Sequence, residues 1–422
     1  MSETSRWLVL SSGNGSTNLG DEAMWVAAAQ TVREFSPVAE IITDASRTWR
    51  SPLHGVSAHP FFHGALRRGA IIDPLIRQRY PLLDSAVSFP AKERRASKQA
   101  LRIREGRSRA HLVEFWTEQI RQANGLIFSG AGAITQDYSV HGIYGWATLT
   151  ALARQASTPV AFIGQGIGPD LRKKHEPYVR TMLEAAELVT VREQRSAAAV
   201  RGLAPDAPDP LVTYDWALAI EPTAEDRSHA ERIVRDLTNG RPFYAVSFHR
   251  RSEFARGSLQ RLAHVADEIV RAAQARNAEV VFVSNMTAGR YSDDRVTADK
   301  IGSRMQHATD LKVVRQRLTP GTTRALLGLS RGTIATRYHP LVFALSEGTP
   351  VWGLSSDAYY DQKLSGISDA FDVRQNVSRI TDTSISGEEI LRRLVDQIPK
   401  KIEDDVLMSI KRPLIDFLAR HS

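Results

Sequence analysis

Arg337 and His339 stand two residues apart in Ala335-Thr-Arg-Tyr-His-Pro-Leu-Val-Phe-Ala344, where a β-type run gives way to an apolar helical one. An arginine there can hold an anion, and a histidine titrating near neutral pH can exchange a proton beside it. Pro340 suits the first helical turn, and a helix N-terminus adds partial positive charge. A lone histidine is more often structural; the adjacent arginine and the loop position favour chemistry here. Three more loops share this setting. Ser12-Gly-Asn-Gly-Ser-Thr-Asn-Leu-Gly-Asp-Glu-Ala23 carries Asn18, Asp21 and Glu22. Phe128-Ser-Gly-Ala-Gly-Ala-Ile-Thr-Gln-Asp137 carries Gln136 and Asp137, and Ile163-Gly-Gln-Gly-Ile-Gly-Pro169 carries Gln165. Glycines between a strand and a helix let backbone N–H groups approach an anion. The first loop is neither a GxGxxG fingerprint nor a Walker loop, and Asp21 and Glu22 also suit a helix cap. Three such loops on successive strands together favour a binding cleft.

The elements that must position these loops alternate. Strands are expected at Trp7–Ser11, Glu40–Thr43, Gly125–Phe128, Pro159–Ile163, Leu188–Val191 and Leu211–Tyr214, with helices such as Tyr144–Ala156 and Lys174–Ala186 between them. After a polar stretch at Glu221–Gly240 the pattern restarts at Phe243–Phe248. It continues through a helix near Leu259–Ala275 and strands at Glu279–Val283, Leu311–Val314, Thr333–Thr336 and Pro350–Gly353. Such alternation predicts parallel sheets with helices on both faces. The expected architecture is α/β: two Rossmann-like doubly wound domains, residues 1–222 and 223–385, facing across a cleft. The tail 386–422 reads as two helices parted near Pro399, packing back on the first domain. Residues 46–120 read as an elaboration between the second and third strands, helical from about Lys92.

At 422 residues the chain is long enough for two domains, and 42% hydrophobic with 24% charged residues excludes gross disorder. The absence of cysteine excludes disulfides, thiolate zinc sites and a Cys nucleophile, and fits a reducing cytoplasm, the expected location. No apolar run is long enough for a signal peptide or a membrane span. His54, His59 and His63 are the nearest approach to a metal set, but Pro60 argues against a shared helical face, so no metal is expected. The net charge of +8 is concentrated: Ala91–Ala110 holds eight Lys/Arg against Glu93 and Glu105, a local +6. A solvated helix face is the plain reading of Lys92–Arg109. Peripheral contact with an anionic membrane is the functional one, and nucleic acid is disfavoured because no aromatic residues are interleaved.

The order Asn18-x-Gly-Asp-Glu-Ala23, Gly130-x-Gly-x-x-x-Gln-Asp137, Gly164-Gln-Gly-Ile-Gly-Pro169, Arg192-Glu-x-x-Ser196, Asp215-x-Ala217, Arg337-x-His339 and Gly348-x-Pro350, with Tyr360 and Lys363, resembles the polysaccharide pyruvyl transferases. The resemblance spans about residues 7–366 and omits the 46–120 segment. It implies a fold like the two-Rossmann (GT-B) glycosyltransferases. It also implies phosphoenolpyruvate as co-substrate, no cofactor, and a pyruvyl ketal formed on a sugar of a glycan or lipid-linked glycan. The chain departs from the family where Ser129-Gly130-Ala131-Gly132 replaces three glycines. It departs again where His249 stands at a usual arginine with Arg250 following, and where Tyr338 and Pro340 flank His339.

Ketal formation from phosphoenolpyruvate needs clustered cations for the carboxylate and phosphate, for which Arg337, with its bidentate fork, leads, followed by Arg250 and Arg192. Asn18 and Lys363 complete the expected donor set. C3 must be protonated and phosphate must leave; His339 is the candidate for either proton role. Asp21 or Asp137 would act as base, and Glu22, Gln136, Gln165 and His249 would hold sugar hydroxyls. Two other readings stand beside this one. A nucleotide-sugar glycosyltransferase would need a carboxylate for ribose, which Glu347 offers. A non-catalytic carbohydrate-binding relative would keep the fold alone.

Overall fold

The computed structural model describes residues 5–11, 14, 18–47, 49–67, 81–108, 110–168, 171–249, 258–287, 293–355, 364, 371, 376–380, 382, 386–397 and 402–422. The chain divides into two compact units. One comprises Met1–Gly15, Met24–Trp216 and Ser409–Ser422, the other Ser16–Ala23 and Ala217–Met408.

The first unit is built on β1 (Arg6–Leu10), β2 (Glu40–Ala45), β3 (Val56–Pro60), β4 (Gly125–Phe128), β5 (Val160–Gln165), β6 (Leu188–Val191) and β7 (Leu211–Val212). They form one parallel sheet in the order β3-β2-β1-β4-β5-β6-β7. Inner strands such as β4 and β6 are buried at every residue and apolar but for Thr190, as a sheet covered on both faces requires. The order reverses at β1/β4, so the loops after these two strands diverge and open the crevice of a doubly wound sheet. The last helix, Asp404–His421, belongs to this unit from Ser409 onward. There Phe417 packs on Trp7 (6.2 Å between ring centres), Lys411 pairs with Glu34 at 3.0 Å, and Asn124 donates to the His421 carbonyl.

The segment 46–120 holds a strand that the sequence pattern hides. β3 is short, partly exposed and ends on proline, as an edge strand does, so it lacks the apolar run that marks its inner neighbours. The helix carrying the basic run starts at Pro81, not Lys92, and ends at Arg104. Of the three histidines, His59 lies in β3 with its ring 4.5 Å from that of Phe115, and His63 Nδ1 sits 2.7 Å from His141 Nδ1. Among the described residues, no group of three or more His, Cys, Asp or Glu is placed to hold a metal. The helix Trp146–Gln155 is preceded by a π-helical turn, Ser139–Gly145, where the sequence predicts α-helix only from Tyr144.

The second unit contains β8 (Phe243–Ser247), β9 (Glu279–Phe282), β10 (Leu311–Val313), β11 (Thr333–Ala335), β12 (Val351–Ser355) and β13 (Val377–Arg379). They form a second parallel sheet, β10-β9-β8-β11-β12-β13. Its reversal lies at β8/β11. The loop after β8 begins with Phe248 and His249; the loop after β11 is Thr336-Arg337, entering the helix Tyr338–Ser346. Both sheets therefore match the expected fold class, and the two chemistry-bearing residues of the second unit sit at its switch point. No described helix is long and apolar enough to cross a membrane.

Candidate functional site

Arg337 is the N-cap residue of the helix Tyr338–Ser346, with extended backbone and no side-chain cap of its own. Its guanidinium turns instead to Asp294. Nε lies 3.1 and 2.9 Å from the two carboxylate oxygens and Nη2 2.7 Å from Oδ1. Asp294 is fully buried and also accepts the backbone N–H groups of Asn285 (3.0 Å) and Met286 (2.8 Å). Burial pushes its carboxyl above the ordinary aspartate range, against the pull of Arg337 and those two N–H groups. This corrects the expectation that the arginine's Nε/Nη2 fork is open to a ligand. That edge is already occupied, while among the described residues Nη1 makes no hydrogen bond. Arg337 is thus a fixed cation that presents one remaining edge.

The Asn18 segment is part of the same structure. Asn18 bridges to Met286 in a two-residue antiparallel pair, and Leu19 N–H donates to the Asn285 carbonyl at 3.0 Å. Asn18 Oδ1 accepts from Asn285 Nδ2 (3.2 Å) and from Gly20 N–H (3.3 Å). Asn285 therefore joins the sequence motif at Asn18 to the carboxylate that fixes Arg337. Gly20 explains itself by contact: a Cβ there would lie 1.8 Å from His339 Nδ1. The buried imidazole of His339 sits directly on the glycine backbone. We expect Gly20→Ala to displace that ring, lowering turnover at least about tenfold. In a His339→Ala background the same change should add almost nothing, and steady-state kinetics of the two single variants and the double variant check this.

His249 is buried at the end of β8. Its backbone N–H and Nδ1 lie 2.9 and 2.8 Å from the Thr336 hydroxyl at the end of the neighbouring β11. A side chain anchored beside Arg337 in this way fits a ligand-facing role. Ser247 Oγ, Ser284 Oγ, Asn285 Oδ1 and Thr287 Oγ1 are buried at the same loop ends and make no hydrogen bond among the described residues. Native proteins keep such atoms where a ligand or water completes the set. Asp21 is half-buried in the first turn of the helix Leu19–Phe35. Glu22 is buried and its carboxylate accepts from Arg317 Nη2 at 3.0 Å.

In the first unit the loops after β4 and β5 are joined by an Ile134–Ile167 bridge and by Gly166 N–H to the Ala131 carbonyl. Arg192, just after β6, lies over them: a Cβ at Gly166 would come within 2.7 Å of its Nη2. Its guanidinium pairs with Glu193 at 2.8 Å and lies 3.7 Å from buried Asp215. Gln165 is fully buried, and its Nε2 lies within hydrogen-bond distance of the carbonyls of Phe128, Ser129 and Ile163 at the strand ends, while Oε1 has no partner among the described residues. Gln136 accepts from Arg172 at 2.8 Å. Asp137 lies in the short helix Gln136–Tyr138, but its side chain, like Arg250 and Lys363 as a whole, lies outside the described residues. The Ser129 and Ala131 departures are packed, both side chains being fully buried.

One buried acid escaped the sequence reading. Asp44, at the end of β2, accepts the Ser11 N–H at 3.0 Å through Oδ1, while Oδ2 makes no hydrogen bond among the described residues. Burial pushes its carboxyl up to about 7. The folded chain then keeps a proton that the unfolded chain releases near pH 4. The carboxyl's stabilising effect is complete at low pH and is lost as pH rises through 4 to 7. Asp44→Asn should therefore stabilise the protein at pH 8, by about 4 kcal/mol at most, and hardly at all near pH 4. Thermal unfolding of both proteins across this range tests it.

Three solved structures resemble the whole chain, each covering 99% of it and matching over 100% of their own length. UGT89C1 of Arabidopsis thaliana is 10% identical with a TM-score of 0.52. A UGT transferase from Siraitia grosvenorii in complex with UDP is 9% identical with a TM-score of 0.52. Os79 from O. sativa in complex with UDP is 12% identical, also with a TM-score of 0.52. At such identities the likeness shows the fold alone, that of the GT-B proteins. No curated protein matches the chain in sequence. The family model "Polysaccharide pyruvyl transferase" matches residues 18–358, a span opening on Asn18 and taking in Gly20, Asn285, Asp294, Arg337 and His339, and by that match the chain belongs to the polysaccharide pyruvyl transferase family.

Proposed function

We propose that this transferase moves the enolpyruvyl-derived group of phosphoenolpyruvate onto two hydroxyls of one sugar in a glycan or lipid-linked glycan. The observation that supports it best is the pre-set cation at the second unit's switch point. Arg337 is held by Asp294, with the His339 imidazole nearby against Gly20 and a helix N-terminus beside both. Arg337 binds the donor's anionic groups, and His339 delivers a proton to C3 or to the departing phosphate. With C3 protonated, the electron-poor C2 accepts a sugar hydroxyl, phosphate leaves, and a second hydroxyl closes the ketal. Each hydroxyl gives up its proton, for which half-buried Asp21 is the described base; Asp137, Arg250 and Lys363 remain expected members of the site. Neither metal nor cofactor enters the scheme. The protein would work in the cytoplasm, with a peripheral membrane contact through Lys92–Arg109 where the acceptor is lipid-linked.

The nucleotide-sugar reading loses its main residue. Glu347 is mostly buried and its carboxylate is held by Arg324 (2.6 Å) and Arg227 (3.4 Å), while Arg324 also ties the carbonyl of Leu218. Ligand-induced thermal stabilisation separates the two donors. Phosphoenolpyruvate should raise the melting temperature and UDP should not; the reverse result would overturn the proposal.

A further inference from the structure

The helix Pro81–Arg104 divides sharply between core and solvent. Ala96, Ala100 and Ile103 are buried in the first unit's core, and Glu93 is buried beneath Lys174 and His175. Burial alone would raise the Glu93 carboxyl; hydrogen bonds from Lys174 and His175 outweigh it and hold the group below the ordinary glutamate range. The inner face is therefore fixed by packing and a charge network. The outer face, at i, i+4 and i+8 spacing, carries Arg94, Arg95, Lys98 and Arg102, all exposed. None of these four makes an ion pair among the described residues, although surface arginines commonly find a carboxylate. In their midst Leu101 is 51% exposed.

Next to this face lies a groove of about 550 Å³. Leu101 and Arg104 line it from the basic helix and Glu105 from just beyond it, Ala151, Arg154 and Gln155 from the helix Trp146–Gln155, and Thr181 from the helix Glu176–Glu184. Arg154 also makes no ion pair among the described residues. Glu105 is offset by Arg107 at 3.3 Å, so the two groove arginines keep the rim cationic, and cations beside apolar surface suit a phosphate ester attached to hydrocarbon.

We propose that this face docks on an anionic phospholipid surface, with Arg94, Arg95, Lys98 and Arg102 meeting headgroup phosphates and Leu101 entering the interface. The unpaired charge supplies the attraction and the exposed leucine the apolar anchor. Nucleic acid is a poorer match because the face offers no aromatic side chain for base stacking. The surface takes its purpose from the proposed function, since a lipid-linked acceptor is presented at a membrane. Its physical basis is independent of that reading.

The test is co-sedimentation of the full chain with vesicles of phosphatidylcholine and phosphatidylglycerol, against pure phosphatidylcholine, at low and high salt. Wild type should bind only the anionic vesicles, and salt should release it. Replacing Arg94, Arg95, Lys98 and Arg102 together by Gln should weaken binding on the order of 10²–10³-fold, about fivefold per charge. Leu101→Glu should weaken it too, with unchanged thermal unfolding in both variants. Phosphate release with a water-soluble glycan should be unaffected, so failure of docking and failure of the proposed reaction are read separately. Equal vesicle binding by wild type and the four-residue variant would overturn the proposal. So would binding of single-stranded RNA without binding of anionic vesicles.

Discussion

His339→Ala is expected to lower turnover by about 10²–10⁴-fold, the usual worth of a positioned proton donor, while phosphoenolpyruvate affinity should change only a few-fold. The argument rests on where the ring is held. His339 is in the first turn of the helix Tyr338–Ser346, is buried, and lies against Gly20 with no room for even a methyl group between them. A ring seated this tightly is oriented rather than merely nearby, which proton transfer in a transition state requires. Because a proton transferred in the transition state makes the rate depend on the donor's protonation, wild-type turnover should vary with pH. The dependence should disappear in the variant. Rates across pH 5–8 with a verified acceptor check both halves. Near-wild-type turnover would move the proton donor elsewhere, and His249, anchored on Thr336 at the neighbouring strand end, would be tested next.

Arg337→Lys is expected to reduce kcat/KM for phosphoenolpyruvate by about 10²-fold or more, although the charge is kept. In the wild type one edge of the guanidinium is committed to Asp294, and in the proposed reaction the other takes the donor. An ammonium has no second edge. If it stays with Asp294 it cannot hold the donor in the same geometry, and if it turns to the donor it leaves a buried carboxylate short of partners. Arg337→Ala leaves Asp294 buried without its counter-charge and should lower stability by about 3–5 kcal/mol. Asp294→Asn tests the positioning role separately. It should raise KM for phosphoenolpyruvate more than it lowers kcat, because the cation remains but its orientation is freer. Equal kinetics for Arg337→Lys and wild type would show that the donor's anions are bound elsewhere.

What the sequence revealed depended on how local each signal was. Strands buried on both faces announce themselves as short apolar runs, so eleven of the thirteen described strands lie where alternation or restart of the pattern placed one, or nearly so, the exceptions being the edge strands β3 and β13. Arg337 and His339 lie two residues apart in the chain and follow a strand, so their setting could be read directly. Asp294 could not: it is separated from Arg337 by 43 residues and, beside Asp293, reads as the start of a helix, which it also is. Glu347 shows the opposite error. Its position on the helix after Arg337 suggested a ligand contact, whereas its carboxylate serves the internal arginine Arg324. The carbonyls around Gln165 Nε2 were equally hidden, since an amide in a glycine-rich loop looks alike in sequence whatever its two ends face. Gly20 was visible only as part of a motif; its reason, contact with His339, belongs to the fold.

The central claim is that phosphoenolpyruvate is consumed to place a pyruvyl ketal on a sugar. The most direct measurement is acceptor-dependent phosphate release from phosphoenolpyruvate across a panel of glycans, with the product identified by mass and by NMR of the ketal carbon. The account predicts one phosphate per ketal formed, no release without a sugar bearing a suitable hydroxyl pair, and loss of both signals together in His339→Ala and Arg337→Lys. Sugar transfer from a nucleotide-sugar donor to the same glycans, with phosphoenolpyruvate untouched, would contradict it.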